Sequence, residues 1–283
     1  MGFYAPAQII RDVQAHGVRV LPVDVNGSGW DCTLEGGALR LGLRLIEGFQ
    51  RGWAEQIAGR RFDDMAALEA VGLPNAALET LAAANALTSL IPARRQALWQ
   101  VTTRQTPLPL AAARTTHQPD LPLMSVGEEV LADYRTIGLS LRAHPCALLR
   151  AKLTSANAIT CAASAQARNG EKLRLGGVVI VRQRPGTAKG TVFITIEDET
   201  GIANLIIWPS LVERLRQKIL ASSLLIAEGR LQRSEEGVTH LTVERLADRS
   251  TWLAALDGPN GSPPRRPQHP RHERIVGKSR DFH

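Results

Sequence analysis

The sequence predicts an α+β chain of several domains, a helical domain built on a tandem repeat followed by a five-stranded β-barrel. Three observations carry this expectation. Within 176–209, GGVVIVRQRPGTAKGTVFITIEDETGIANLIIWP, short β-branched runs at 178–181, 192–196 and 202–207 are separated by the turn signals Arg184-Pro185-Gly186 and Asp198-Glu199-Thr200-Gly201. Next, residues 211–220 place Leu211, Val212, Leu215 and Ile219 at helical spacing, and 224–231 and 238–243 alternate again around Ser234-Glu235-Glu236-Gly237. Upstream, between Leu45 and Ala86, the sequence repeats itself around a central glycine.

Taken in chain order, residues 1–26 give a helical pattern (Ile9, Ile10, Val13) closed by His16-Gly17, then a short strand over 18–25. A helix and one strand cannot bury both their faces, so this segment is expected to pack on a larger domain outside the chain. Asp24, Asn26 and Asp31 read as caps and Asx-turns rather than a metal site.

In the repeat, Ile46-Glu47-Gly48-Phe49 through Ile57 aligns with Ala70-Val71-Gly72-Leu73 through Leu81, bringing Gly48 over Gly72, Glu55 over Glu79 and Ile57 over Leu81. A glycine between two apolar residues lets the backbone take positive φ and lets its N–H groups approach a phosphate, which is the mechanics of a helix-hairpin-helix. The first copy adds Gly52 beside Arg51, with Arg60 and Arg61 nearby, and reads as the phosphate binder; the second, with Ala76 and no adjacent base, reads as structural. Two packed helical hairpins with glycine C-caps would leave the same pattern.

Residues 93–101 form a further helix, with Arg94 and Arg95 solvated and Leu98 and Trp99 on its packing side. Residues 102–123 hold Pro107, Pro109, Pro119 and Pro122 and read as a linker; within it, Gln105 to Leu110 has the form of a sliding-clamp peptide, a short pattern that arises often by chance. Residues 124–165 read as a helical connector, broken at 140–145, in which His144 and Cys146 flank Pro145; two ligands without a second pair do not make a zinc site, and a capping or buried polar role is expected.

Three strands, a helix and two strands is the order of an OB-fold, here over 166–250, whose exposed sheet face commonly binds single-stranded nucleic acid. On that face the expected ligand contacts are Arg182, Arg184, Lys189 and Arg230 with Phe193 or Trp208. Alternation puts Val192, Ile194 and Ile196 on one side and Phe193 on the other; Trp208, just before Pro209, reads as a core plug.

The chain carries a formal charge of +7, but the six Lys or Arg of 258–283 against Glu273 and Asp281 put +4 of it in that proline-rich stretch, the greater part of a tail (251–283) expected to be disordered. The folded part is therefore only mildly basic, and net charge is weak support for an anionic partner. Cys32, Cys146 and Cys161 lie far apart, without the paired spacing of a zinc knuckle or a disulfide framework, and fit reduced thiols. No apolar run has the length of a membrane span and no signal-peptide order opens the chain, so a cytoplasmic protein with no membrane partner is expected.

Several stretches are long enough to be specific: MGFYAPAQII, HGVRVLPVDVN, WDCTLE, LRLGLRLIEGF, DYRTIGLSLRAHP, VRQRPGTAKGTVFITIEDETGIANLIIWP and EGRLQR. Together they resemble the carboxy-terminal third of bacterial C-family DNA polymerases, above all the error-prone alpha-like subunits of damage-induced mutagenesis. The resemblance implies that 1–40 is the end of the fingers, 41–101 a tandem helix-hairpin-helix domain on duplex DNA, and 166–250 an OB domain on single-stranded template. It implies roles in DNA replication, repair and translesion synthesis, with primed DNA, the sliding clamp and mutagenesis accessory proteins as partners. It also implies that the palm, whose aspartates would hold magnesium, is outside this sequence. Glu197-Asp198-Glu199 matches the family's OB turn, so no catalytic residue, metal site or cofactor is expected in this chain, and it is expected not to polymerise alone. The chain then reads as a piece of a longer polymerase, or as one of two separately encoded parts. An RNA-binding OB module and a scaffold that docks polymerase accessory proteins are the alternatives.

Overall fold

Alternation of buried and exposed side chains and glycine-centred turns shape two units of this chain, Met1–Leu141 and Arg142–His283. The computed structural model describes residues 6–103, 121–234 and 238–258. The clamp-like hexapeptide and residues 259–283 of the tail lie outside the described residues; its first part, expected disordered, is instead a helix at Ser250–Ala254 and a 3-10 turn at Ala255–Asp257, held by Leu253 at 1% exposure.

The first unit opens with α1 (Pro6–Ala15), which ends at Gly17, where φ is +78°. The expected strand over 18–25 is short. β1 (Val20–Leu21) runs parallel to β3 (Ala38–Arg40), which pairs antiparallel with β2 (Thr33–Glu35). Val23 and Val25 leave the sheet and are buried, at 2% and 3% exposure, in the same core as Ile10, Leu41, Phe49 and Leu81. The helical core thus supplies apolar partners for these residues, while Ile9 and Leu34 stay 53% and 78% exposed. Asn26 closes the Asx-turn on Asp24 (N to Oδ1, 2.9 Å) and clamps Phe62, accepting from its N–H and donating to its carbonyl, both at 2.8 Å.

The repeat is a pair of hairpins. In the first, a single 3-10 turn at Leu43–Leu45 leads through Gly48 into α2 (Arg51–Ile57); in the second, α3 (Met65–Glu69) leads through Gly72 into α4 (Asn75–Ala83). Gly48 and Gly72 have φ of +79° and +83°, a backbone region costing an L side chain roughly 1–2 kcal/mol. Leu43, Phe49, Ala54 and Ile57 of the first copy join Leu68, Leu73, Leu78 and Leu81 of the second in one core.

Two further helices complete the unit. α5 (Arg94–Thr102) packs on α4, and α6 (Val126–Thr136) starts at a reciprocal capping box between Ser125 and Glu128. Arg94, expected in solvent, is 1% exposed: its guanidinium bonds Asp133, the Glu129 carbonyl at 3.0 Å and the Glu129 carboxylate at 3.1 Å. The acids that draw it inside are about ten helical turns away in sequence, beyond the reach of local periodicity. Arg95, its neighbour, stays half-exposed on Glu128 at 2.9 Å, while Trp99 is half-buried.

The second unit begins with three short helices, α7 (Pro145–Leu148), α8 (Arg150–Ser155) and α9 (Cys161–Gln166). His144 caps α7, its Nδ1 accepting from the Cys146 N–H at 3.1 Å. The barrel follows: β4 (Lys172–Gln183), β5 (Val192–Asp198), β6 (Gly201–Ile207), α10 (Pro209–Ala221), β7 (Leu224–Arg233) and β8 (Thr239–Asp248), closed in the order β4-β5-β6-β8-β7. α11 (Ser250–Ala254) ends the described chain's regular helices. Ile194, Ile196, Leu205, Ile207, Leu225 and Leu241 fill the barrel, and Leu211, Val212 and Ile219 of α10 plug one end. This is the OB-fold expected from the strand and helix order.

Candidate nucleic-acid interface

The strand registers define the barrel's outer surface without reference to any ligand. Across the sheet, Gln183 pairs with Phe193, Phe193 with Ile206, Ile206 with Thr242 and Thr242 with Arg230. One row along, Val181, Thr195, Asn204, His240 and Gln232 are matched in the same way. Side chains paired across strands share a face, so these rows are two parallel tracks on the outside of the barrel. Val192, Ile194 and Ile196 are buried between them, which leaves Phe193 half-exposed on the outer face, as alternation predicts. Thr195 donates to Asn204 Oδ1 at 3.0 Å and holds the second track's centre.

One end of these tracks gathers cations and an aromatic. Arg184 and Lys189 are exposed in the β4–β5 loop, with Lys189 left-handed at φ +46°. A Cβ on Gly190 would lie 3.4 Å from the Arg184 guanidinium and 3.6 Å from the Pro209 ring, so the loop folds back onto the residue following Trp208. Trp208 itself is 52% exposed, not the core plug expected: α10 fills that end of the barrel with Leu211 and Val212, and the indole is left outside. Arg184, Lys189, Trp208 and Phe193 thus occupy one region, and Ile206, Gln183 and Thr242 extend it with residues that sequence reasoning did not single out.

Arg182 is a correction. It is 3% exposed and donates from Nε to the Ile219 carbonyl at 2.7 Å and from a terminal nitrogen to the Ser222 carbonyl. The register slips between Val179 and Val181, which makes Ile180 a bulge and pairs Arg182 with inward-facing Ile194. Its guanidinium caps the carboxy-terminal carbonyls of α10 and is not on the ligand surface. Arg230 is on the surface, at 61% side-chain exposure, but pairs with Glu244 at 3.3 Å and donates to the Gly170 carbonyl.

The acidic run at the β5–β6 turn is fully occupied with structure. Asp198 is 0% exposed and accepts from the N–H groups of Cys161, Thr200 and Gly201, from the Thr200 hydroxyl at 2.6 Å and from Arg150 at 3.0 Å. Burial would raise its pKa, yet these hydrogen bonds and the Arg150 charge hold its carboxyl below the ordinary value. Arg150 also binds Glu199 at 2.6 and 2.8 Å, which raises its own pKa. Burial pushes the neighbouring Cys146 thiol up to about 12, an inert rather than a nucleophilic cysteine.

In the helical unit, Arg51 and Gly52, which open α2 after the Gly48 turn, and Arg60 and Arg61, which follow its carboxy-terminal end, are all exposed. Arg51 leans on Glu55 at 3.0 Å, an exposed i,i+4 pair worth only a few tenths of a kcal/mol. Gly52 is the second residue of α2, without positive φ, and nothing lies within 4 Å of where its Cβ would be. A helical glycine costs about 1 kcal/mol relative to alanine. The fold gives no reason for that cost.

With this geometry in place, comparison with known proteins is informative. A helix-hairpin-helix motif model matches residues 17–97, and an OB-fold nucleic acid binding domain model matches 165–248. Over its whole length the chain is 45% identical to an error-prone DNA polymerase of Brucella abortus and 41% identical to one of Rhodopseudomonas palustris. It is 43% identical over 93% of its length to error-prone DNA polymerase 2 of Rhizobium meliloti. It spans 28%, 30% and 26% of those three relatives. Among solved structures, asparaginyl-tRNA synthetase from Pyrococcus horikoshii is similar over 32% of this chain and 23% of its own, at 28% identity and a TM-score of 0.29.

Proposed function

We propose, for a chain similar over its whole length to error-prone DNA polymerases and matched by a helix-hairpin-helix model and an OB-fold nucleic acid binding model, that it is a DNA-handling region and not a catalytic one. The OB barrel takes single-stranded template along the Phe193–Ile206–Thr242 track, with bases stacking on Phe193 and Trp208 and phosphates met by Arg184 and Lys189. The hairpin at Gly48 takes duplex phosphates through exposed backbone at Gly52 and through Arg51, Arg60 and Arg61. The supporting observation is an exposed Trp208 whose neighbour Pro209 lies against a cationic loop, at the rim of a closed barrel. Damage-induced mutagenesis, translesion synthesis and docking of a sliding clamp or accessory proteins belong to the same proposal at the level of the longer relatives.

Anisotropy of labelled single strand, primed duplex and structured RNA across a salt series tests it. Tight binding of single strand and primed duplex, weaker binding of RNA, and a steep negative dependence of log K on log salt are expected. A flat slope or no binding would favour the scaffold reading, and a preference for RNA the RNA-module reading.

A further inference from the structure

A cavity of about 450 Å³ opens on a different part of the barrel wall, lined by Ala156, Arg174, Ile226, Glu228, Arg245, Leu246, Ala247 and Arg249. Its floor is aliphatic and three of its side chains are guanidinium groups. Register pairs Arg174 with Glu228 and Glu228 with Arg245, just before the bulge at Glu228/Gly229. The acid is already committed. Glu228 receives Lys172 at 3.0 Å and Arg174 at 2.7 Å, and these hydrogen bonds hold its carboxyl ionised below the ordinary range. Arg174 also donates to the Ala156 carbonyl. Arg245, by contrast, is exposed and has no hydrogen bond or ion pair among the described residues. Arg249 is held with its guanidinium carbon 5.3 Å from the Trp252 ring centroid; one terminal nitrogen donates to the Asp248 carbonyl at 3.2 Å, and its Nε is buried without a hydrogen-bond partner. A planar donor set against an indole, with donors left after its bond to Asp248, is pre-ordered for a planar or tetrahedral oxyanion.

We infer that this cavity is a phosphate-monoester site, in which Arg245 and Arg249 hold the phosphate of a nucleoside 5′-phosphate while Ile226, Leu246 and Ala247 carry its sugar and base. The volume is that of a small-ligand site, and guanidinium groups match phosphate oxygens in pairs. The site uses none of the residues assigned to the single-strand track. Between the cavity and the track, Glu244 is tied to Lys172 at 3.2 Å and to Arg230 at 3.3 Å, so the cations there are paired and offer a passing strand no continuous run of free donors, which favours a terminal or free monoester. The same chemistry is presented by a free deoxynucleoside monophosphate and by the 5′ end of a DNA strand.

Calorimetric titration of the full chain with inorganic phosphate, deoxyadenosine 5′-monophosphate and deoxyadenosine tests the site, alongside anisotropy of one oligonucleotide bearing either a 5′-phosphate or a 5′-hydroxyl. The monophosphate is expected to bind and the nucleoside not, with affinity lowered about tenfold by Arg245→Gln, a surface change that leaves the melting curve in place. If the phosphorylated oligonucleotide outbinds its hydroxyl counterpart and Arg245→Gln removes the difference, the source is a strand end; if the two oligonucleotides bind alike, it is the free nucleotide. Failure of every phosphate-bearing probe, affinity indifferent to Arg245→Gln, or displacement of the monophosphate by an oligoglutamate peptide at equal concentration would overturn the assignment. The 5′-hydroxyl oligonucleotide should respond to Phe193→Ala and not to Arg245→Gln, so that loss of this site and loss of the single-strand track are told apart.

Discussion

The two ends of the β5–β6 hairpin carry opposite electrostatic designs on the same pair of strands. At the turn, Glu197, Asp198 and Glu199 are drawn inward, and Asp198 meets four protein donors besides Arg150. At the other end Phe193, Ile206 and Trp208 are left wholly or partly in solvent beside Arg184 and Lys189. Charge density is thus a poor guide to function here: the denser cluster is satisfied internally, and the sparser end has unspent donors and aromatic surface.

The largest effect should come from the satisfied end. Asp198→Asn removes one partner of a buried ion pair and misplaces a donor among donors, and is expected to destabilise the barrel unit by about 3 kcal/mol in urea unfolding at pH 7. Because the folded carboxyl titrates below its unfolded value, its contribution is complete above about pH 4 and is lost as pH falls through the folded value. The gap between the variant and the parent chain should therefore narrow below about pH 4; a gap that stays constant to pH 3 would separate Asp198 from that linkage.

At the open end, Phe193→Ala and Trp208→Ala should each weaken single-strand binding by roughly 1–3 kcal/mol, with melting nearly unchanged for Trp208→Ala. Equal affinities with intact folding would remove the aromatic track from the interface. Reversing Arg184 and Lys189 to glutamate should flatten the salt slope for single strand by about two phosphate contacts, whereas Arg182→Gln should act on stability instead. If Arg182→Gln flattened the slope without destabilising the barrel, the contrast between buried and surface arginine would fail.

The smallest effects distinguish the two hairpins. Gly48→Ala and Gly72→Ala should each cost about 1 kcal/mol of stability, since both turns need positive φ. Gly52→Val sits in helical backbone with open space around it, so it should leave melting within about 1 kcal/mol and lower duplex affinity. Unchanged duplex affinity would make the first hairpin as structural as the second.

The barrel's strand order, the internal repeat and the outward face of Phe193 were legible because each depends on local period: two for strands, about 3.6 for helices, and a glycine wherever φ turns positive. What local period cannot carry is a change of phase or a partner far along the chain. The slip at Ile180 reverses every side chain after it, so Arg182 reads as surface and lies inside. Arg94 looks like a solvated helix residue until Glu129 and Asp133 are folded onto it. Trp208 looks like core until α10 has filled the barrel end in its place. The sequence by itself determined the elements, their order and the resemblance to polymerases. Only the tertiary structure decided which cations are spent on carbonyls and carboxylates and which stand free, because that depends on contacts between residues tens of positions apart.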